Sequence, residues 1–240
     1  MSIVTVTVLN FAPGQRYRAF ANMGRWLMNP FNIPGLLFQK MMGTGKNFGL
    51  WPDFSRYIFI GVWEDEAQAH TFFASEQWQP FLPVSTDQAR RQTGTLYLQP
   101  IKSQGLWDGI DPFKSVNNVP DSNVPNTLNQ ADRPIAVLTR ASIRTGALID
   151  FWRNVPEARK RIDEQGDNLL MALGAGEKPL VQQCTISVWR NAALVDQFAY
   201  RQSGHREIVK KTRQRKWYSE ELFARFTVLK MDGFAINEAN

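Results

Sequence analysis

An α+β fold made of two similar halves is what this sequence predicts, and three observations predict it. Strand and helix signals run through the chain in one order, then begin again after an Asn- and Pro-rich stretch at 115–132. The segment Tyr57-Ile58-Phe59-Ile60-Gly61-Val62-Trp63 matches Gln183-Cys184-Thr185-Ile186-Ser187-Val188-Trp189, each closing on a tryptophan. Each half is also too short to build a stable core alone, so each must cover the other.

The elements follow in order. Ile3 to Phe11 alternates branched and polar residues as a strand does, and Gly14 ends it. Arg16 to Met28 places Tyr17, Phe20, Met23 and Leu27 near helical spacing, with Pro30 as the stop. Gly35 to Met42 is an apolar strand expected to turn at Gly43-Thr44-Gly45, and Tyr57 to Trp63 is a strand. Acidic Glu64-Asp65-Glu66 then opens a helix through Ala69 and Phe73, in keeping with the positive end of a helix dipole. A further helical turn follows Pro80 and Pro83, then the alternating strand Thr93 to Leu98.

The second series repeats this. Pro134 to Arg144 is a strand and Ala147 to Ile162 a helix with Leu148, Phe151, Trp152 and Val155 on one face. Leu169 to Leu173 leads into Gly174-Ala175-Gly176, expected as a turn, and Val181 to Trp189 is a strand. Ala192 to Tyr200 and Gly204 to Tyr218 read as helices, and Leu222 to Met231 as the closing strand. A four-stranded antiparallel sheet with helices on one face leaves its other face wet unless a second sheet covers it. The expected architecture is therefore tandem ferredoxin-like halves with antiparallel sheets packed face to face, of the dimeric α+β barrel type. Its first half spans 1–114, a linker or loop 115–132, and its second half 133–240.

Composition narrows the function. Hydrophobic content of 43% with 21% charged residues is that of a globular protein and excludes wholesale disorder. A net charge of +6 is compatible with a nucleic acid or an anionic membrane but requires neither. The single Cys184 lies in an apolar strand, which excludes an intramolecular disulfide and a multi-cysteine zinc site. No signal peptide is evident, and no stretch approaches the roughly 18 apolar residues of a spanning helix, so the expected location is cytoplasmic. Dinucleotide, P-loop and nucleophile-elbow motifs are all missing. Glu220-Glu221 reads as a solvent-facing pair.

There are two histidines. His70 reads as a structural or surface residue. His205 shares a helical stripe with Ile208, Val209 and Thr212, and two readings stand: a core histidine bonded to a carbonyl, or an axial ligand to haem iron. The basic run Arg201, Arg206, Lys210, Lys211, Arg213, Arg215 and Lys216 reads as a solvated face, or as a contact for lipid headgroups or haem propionates. It lacks the interleaved aromatics of a nucleic-acid platform, so no nucleic-acid partner is expected.

Several motifs together resemble the spheroidene monooxygenase (acyclic carotenoid ketolase) family. They are Leu138 to Arg144, Phe151-Trp152, Val155-Pro156, Gly174 to Pro179, Gln183 to Trp189, Gly204-His205 and Trp217 to Phe226. The first half matches more loosely through Phe20 to Gly24, Met42 to Gly45 and Ser103 to Gly109; Lys178 and the long Asn-rich insertion depart from the pattern. The resemblance implies a haem (iron) monooxygenase that adds a keto group to a linear carotenoid, fed by a small electron carrier such as a ferredoxin. It implies His205 as the axial ligand, while Gln79 stands at the corresponding place in the first half. Arg140 is then expected on the distal side, with Arg144 and Arg225 as cofactor contacts, intramolecular salt bridges being the alternative for all three. A lipid-soluble substrate implies peripheral membrane contact. Two other readings remain: a cofactor-independent monooxygenase or isomerase of the same barrel class acting on a small aromatic or polyketide substrate, and a haem- or lipid-binding carrier without turnover.

Overall fold

The computed structural model describes residues 1–46, 51–84, 93–114, 133–201 and 215–234. Eight antiparallel strands form its frame: β1 (Ile3–Asn10), β2 (Leu36–Gly45), β3 (Pro52–Trp63), β4 (Thr93–Gly105), β5 (Ile135–Ile143), β6 (Leu169–Gly176), β7 (Gln182–Trp189) and β8 (Tyr218–Asp232). The helices are α1 (Arg16–Met28), α2 (Glu66–Phe73), α3 (Leu148–Asp163) and α4 (Ala192–Asp196). The strands close into one barrel in the order β1-β3-β2-β6-β7-β5-β8-β4. The α+β class expected from the sequence is what is found. The sheets are not stacked as two open layers, however: they are hydrogen-bonded at both edges, because a closed barrel leaves no strand edge exposed.

The two seams differ. β4 and β8 pair along Thr95↔Asp232 to Gly105↔Leu222, whereas β2 and β6 meet only at Gly43↔Gly176 and Thr44↔Ala175. Both Gly-x-Gly motifs expected as turns are thus strand ends that form the short seam. A Cβ on Gly176 would lie 2.5 Å from the Gln182 carbonyl oxygen, so glycine is what lets the β6 end fit beside β7.

Alternation sorts each strand into an inner and an outer face. Val4, Val6 and Val8, Ile58, Ile60 and Val62, Cys184, Ile186 and Val188, and Leu222, Ala224 and Phe226 share one buried cluster to which all eight strands contribute; it fills the barrel. Outside, Met41, Phe59, Trp63, Phe72, Trp78 and Phe81 form a second core beneath α1 and α2. A smaller cluster of Ile135, Val137, Leu169, Trp189 and Val195 lies on the outer face of β5, β6 and β7. Asp65 caps α2 by accepting from the Gln68 N–H at 2.9 Å, and Asn191 caps α4 by accepting from the Leu194 N–H at 3.1 Å. The helix expected to continue to Tyr200 stops at Asp196 and is followed by a wider π turn at Gln197–Arg201. Tyr218, expected as helical, already belongs to β8; Lys216 at φ +49° breaks any helix there.

Candidate active site

Arg140 projects from β5 into the barrel on the same face as Ala136 and Leu138, and it is 2% exposed. A guanidinium so placed needs anions around it. Three carboxylates answer it. Glu220 of β8 accepts from Nη1, Asp108 lies 3.3 Å from Nη2, and Glu177 at the end of β6 lies 3.5 Å from Nε. Lys40 of β2 pairs with Asp108 and, at 2.8 Å, with Glu177. The Trp107 indole N–H donates to Glu177 at 2.8 Å, and its ring lies 5.6 Å from the Arg140 guanidinium.

The segment after β4 brings these groups together. Gly105, at φ +105°, has no room for a side chain: a Cβ would lie 2.1 Å from the Glu221 carbonyl oxygen. The chain then folds across the barrel end and buries Trp107 and Phe113 there. Trp107 donates to the Ile110 carbonyl at 2.7 Å, closing a turn with Asp108 and Gly109 at positive φ. The two N–H groups of that turn both donate to Glu220, at 3.1 and 2.9 Å. Burial works against the Glu220 charge, but these N–H groups and Arg140 outweigh it and hold the carboxyl below its usual range. Burial likewise opposes the Lys40 charge, and the hydrogen bonds to Asp108 and Glu177 outweigh it, raising the lysine. Burial pushes the Cys184 thiol far up, so it stays neutral and serves as core.

A different surface lies on the outer face of β5, β6, β7 and β8. Register places Thr139, Thr185 and Gly174 in one row across β5, β7 and β6. The matching row across β1, β3 and β2 is Thr7, Phe59 and Met41. The next positions repeat the contrast: Ala141 and Gln183 stand where the first set has Leu9 and Tyr57. The overlying helix differs too. α1 packs on β2 and β3 and buries Ala19, Asn22 and Trp26, whereas α3 approaches chiefly the Thr145–Ala147 turn and buries none of its side chains. Its apolar stripe of Leu148, Phe151, Trp152, Val155 and Ile162 is only half-buried. At the start of α3 a cavity of about 580 Å³ is lined by Arg144, Arg215 and Lys216 against the single carboxylate of Asp150. The result is a row of small side chains on the sheet, a helix whose apolar stripe stays half-buried, and cations at the start of that helix.

No family model matches the chain. The spheroidene monooxygenase of Cereibacter sphaeroides is 33% identical over 233 residues, covering 95% of this chain and 67% of that protein. The spheroidene monooxygenase of Rhodobacter capsulatus is 30% identical over 205 residues, covering 83% and 78%. The chain belongs to the spheroidene monooxygenase family. It is therefore an enzyme of the monooxygenase class. Among solved structures, aldoxime dehydratase OxdRE in complex with butyraldoxime superposes with a TM-score of 0.57 at 13% identity, covering 97% of this chain and 80% of that one, a likeness of fold.

In this spheroidene monooxygenase family member the sequence-predicted residues do not form one group. Arg140 is inside the barrel, and of the two readings it is the intramolecular salt bridges, to Asp108, Glu177 and Glu220, that are found. Arg225 is on the outer face of β8 and pairs with Asp196 at 2.7 Å. Arg144 follows β5, donates to the Tyr218 carbonyl at 3.0 Å and lines the cationic cavity. His205 and most of the basic run lie outside the described residues, as does the 115–132 stretch. His70 is on α2, stacked on Tyr97 with ring centroids 5.3 Å apart and 3.3 Å from Glu66. Glu220 was expected to face solvent; the inward register of Leu222, Ala224 and Phe226 was the signal that it turns inward. Lys40, Asp108 and Glu177 were missed as partners because they come from separate strands and loops.

Proposed function

We propose that the chain is a haem-dependent monooxygenase that introduces a keto group into an acyclic carotenoid, drawing electrons from a small ferredoxin-like carrier. The observation that carries this reading is the small-residue row Gly174, Thr185 and Thr139, where the first sheet has Met41 and Phe59, together with the half-buried stripe of α3. A flat ring suits a face of short side chains beside an apolar helix stripe, and its carboxylates suit the cationic end at Arg144, Arg215 and Lys216. His205 is the histidine we assign to the iron. When bound, haem supplies activation of O₂ at an iron centre.

The protein's own part is binding and exclusion. The half-buried apolar stripe of Phe151, Trp152 and Val155 supplies the surface that keeps water from the reacting region. Arg144 holds anionic groups at the rim, while Arg225, opposite Val137 and so roughly 20 Å from it along the sheet, stays paired with Asp196. Arg140 keeps the barrel end closed rather than touching the substrate. Two hydroxylations of one carbon, each using O₂, two electrons and two protons and releasing water, give a geminal diol that loses water to a ketone. We further infer that 1–114 and 133–240 descend from one duplicated unit, since β4-β1-β3-β2 and β8-β5-β7-β6 follow the same order. A cytoplasmic enzyme working at the membrane suits a lipid-dissolved substrate.

Expression in cells that make linear carotenoids, followed by mass spectrometry of the pigments, tests the reading. The expected product gains one oxygen and loses two hydrogens, and His205→Ala abolishes it. Unchanged pigments with the folded, haem-supplied wild type would overturn the proposal.

A further inference from the structure

The first half carries a surface that the reaction does not use. α1 buries Ala19, Asn22 and Trp26 on one side. On its opposite side Tyr17, Phe20, Leu27 and Met28 stand 85%, 59%, 60% and 83% exposed. Their spacing, with Gly24 between them, places them on one continuous stripe rather than scattered round the helix. Phe20 meets Phe54 edge-on at 6.2 Å, which extends the stripe onto the start of β3, where Phe54 and Trp51 are also exposed. Single exposed apolar residues are ordinary, but four in one helix stripe joined to Phe54, with Trp51 three residues before it in the chain, make a binding surface.

Charge identifies the partner. Arg16 borders the stripe on one side and Arg18 and Arg25 on the other, and α1 contains no acidic residue. Among the described residues none of the three is paired with a carboxylate. An apolar arc edged by arginines is how a helix lies in a bilayer surface: the arc enters the acyl boundary while the guanidinium groups reach out to anionic headgroups. Two copies docked stripe to stripe would instead bring like charges together. No helix among the described residues is long and apolar enough to cross a membrane.

We propose that the outer stripe of α1, with Phe54 and Trp51, docks this protein on an anionic lipid bilayer. The inference deepens the reading of a lipid-dissolved substrate by naming the surface that reaches it. Its test involves no turnover, so the two fail separately.

Purified full-length protein is floated with vesicles of phosphatidylglycerol and phosphatidylcholine, or of phosphatidylcholine alone. The expected result is binding to the anionic vesicles, at least tenfold weaker on neutral ones and weakened by salt. The triple change Phe20→Ser, Leu27→Ser and Met28→Ser lowers anionic-vesicle binding at least tenfold with an unchanged circular-dichroism melt. Ile149→Ser, a comparably exposed change on α3, leaves it intact. Absence of wild-type binding, or a triple variant that binds like wild type, overturns the proposal. So does sedimentation velocity showing a wild-type dimer that the triple change dissociates, which would assign the stripe to a second copy.

Discussion

The outer faces of the two sheets start from the same register and end in opposite states. On β1, β2 and β3 the row Thr7, Phe59 and Met41 is sealed by a cage of aromatic rings, with Phe31 at 5.7 Å from Phe59 and 4.9 Å from both Phe72 and Phe81. On β5, β6 and β7 the row Thr139, Thr185 and Gly174 carries no large side chain, and no residue of α3 is fully buried. Matching register positions on the two faces can thus be filled as core or left open. Large residues at the first face make a core; small ones at the second leave a floor.

Substitution at the paired positions sharpens that contrast most. Phe59→Ala removes a fully buried ring and is expected to cost about 3–5 kcal/mol. Thr185→Ala, at the matching place, should change stability by no more than about 0.5–1 kcal/mol. Urea denaturation followed by circular dichroism measures both, and equal losses would break the comparison.

A smaller effect is expected at the barrel end, which belongs to both halves. Arg140→Met leaves Glu220, Glu177 and Asp108 facing one another with only Lys40 between them, at a cost of about 3 kcal/mol. Glu220→Gln should cost about 1–3 kcal/mol near neutral pH, where its charge is present. Because the folded-state carboxyl is held below its usual range, its contribution is complete above the unfolded value and is lost as pH falls through the folded one. The gap between wild type and Glu220→Gln should therefore close in acid. Lys40 has the opposite sign: raised in the folded state, it supports the fold below its unfolded value and ceases to as pH climbs through the folded one. A wild-type–variant gap that persists below the carboxylate range would show that Glu220 acts by packing and not by charge.

Much of the frame was legible because strands with one buried face must alternate, and α1, β1 and β7 were bounded within a residue or two on that ground. The Gly-x-Gly pairs misled, since glycine marks a turn in most contexts while here it permits two strand ends to meet at the β2–β6 seam. Glu220 was misassigned by its polarity, although its register with Leu222 pointed inward. The ionic group at the barrel end was out of reach for another reason. Lys40, Asp108, Arg140, Glu177 and Glu220 converge only when the barrel closes, and nothing local in the sequence encodes which loop crosses its end.

If the proposed haem site is right, the Thr139–Thr185–Gly174 row on the outer face of β5, β6 and β7 binds a ligand where the first half has core. Haem titration of the purified protein, followed by its visible absorption, tests this most directly when wild type is compared with Thr185→Phe, which installs the side chain of the first half. A saturable absorption band is expected in the wild type, and Thr185→Phe should remove it while the melting temperature holds or rises. An undiminished band in Thr185→Phe, or no band in the wild type, would contradict it.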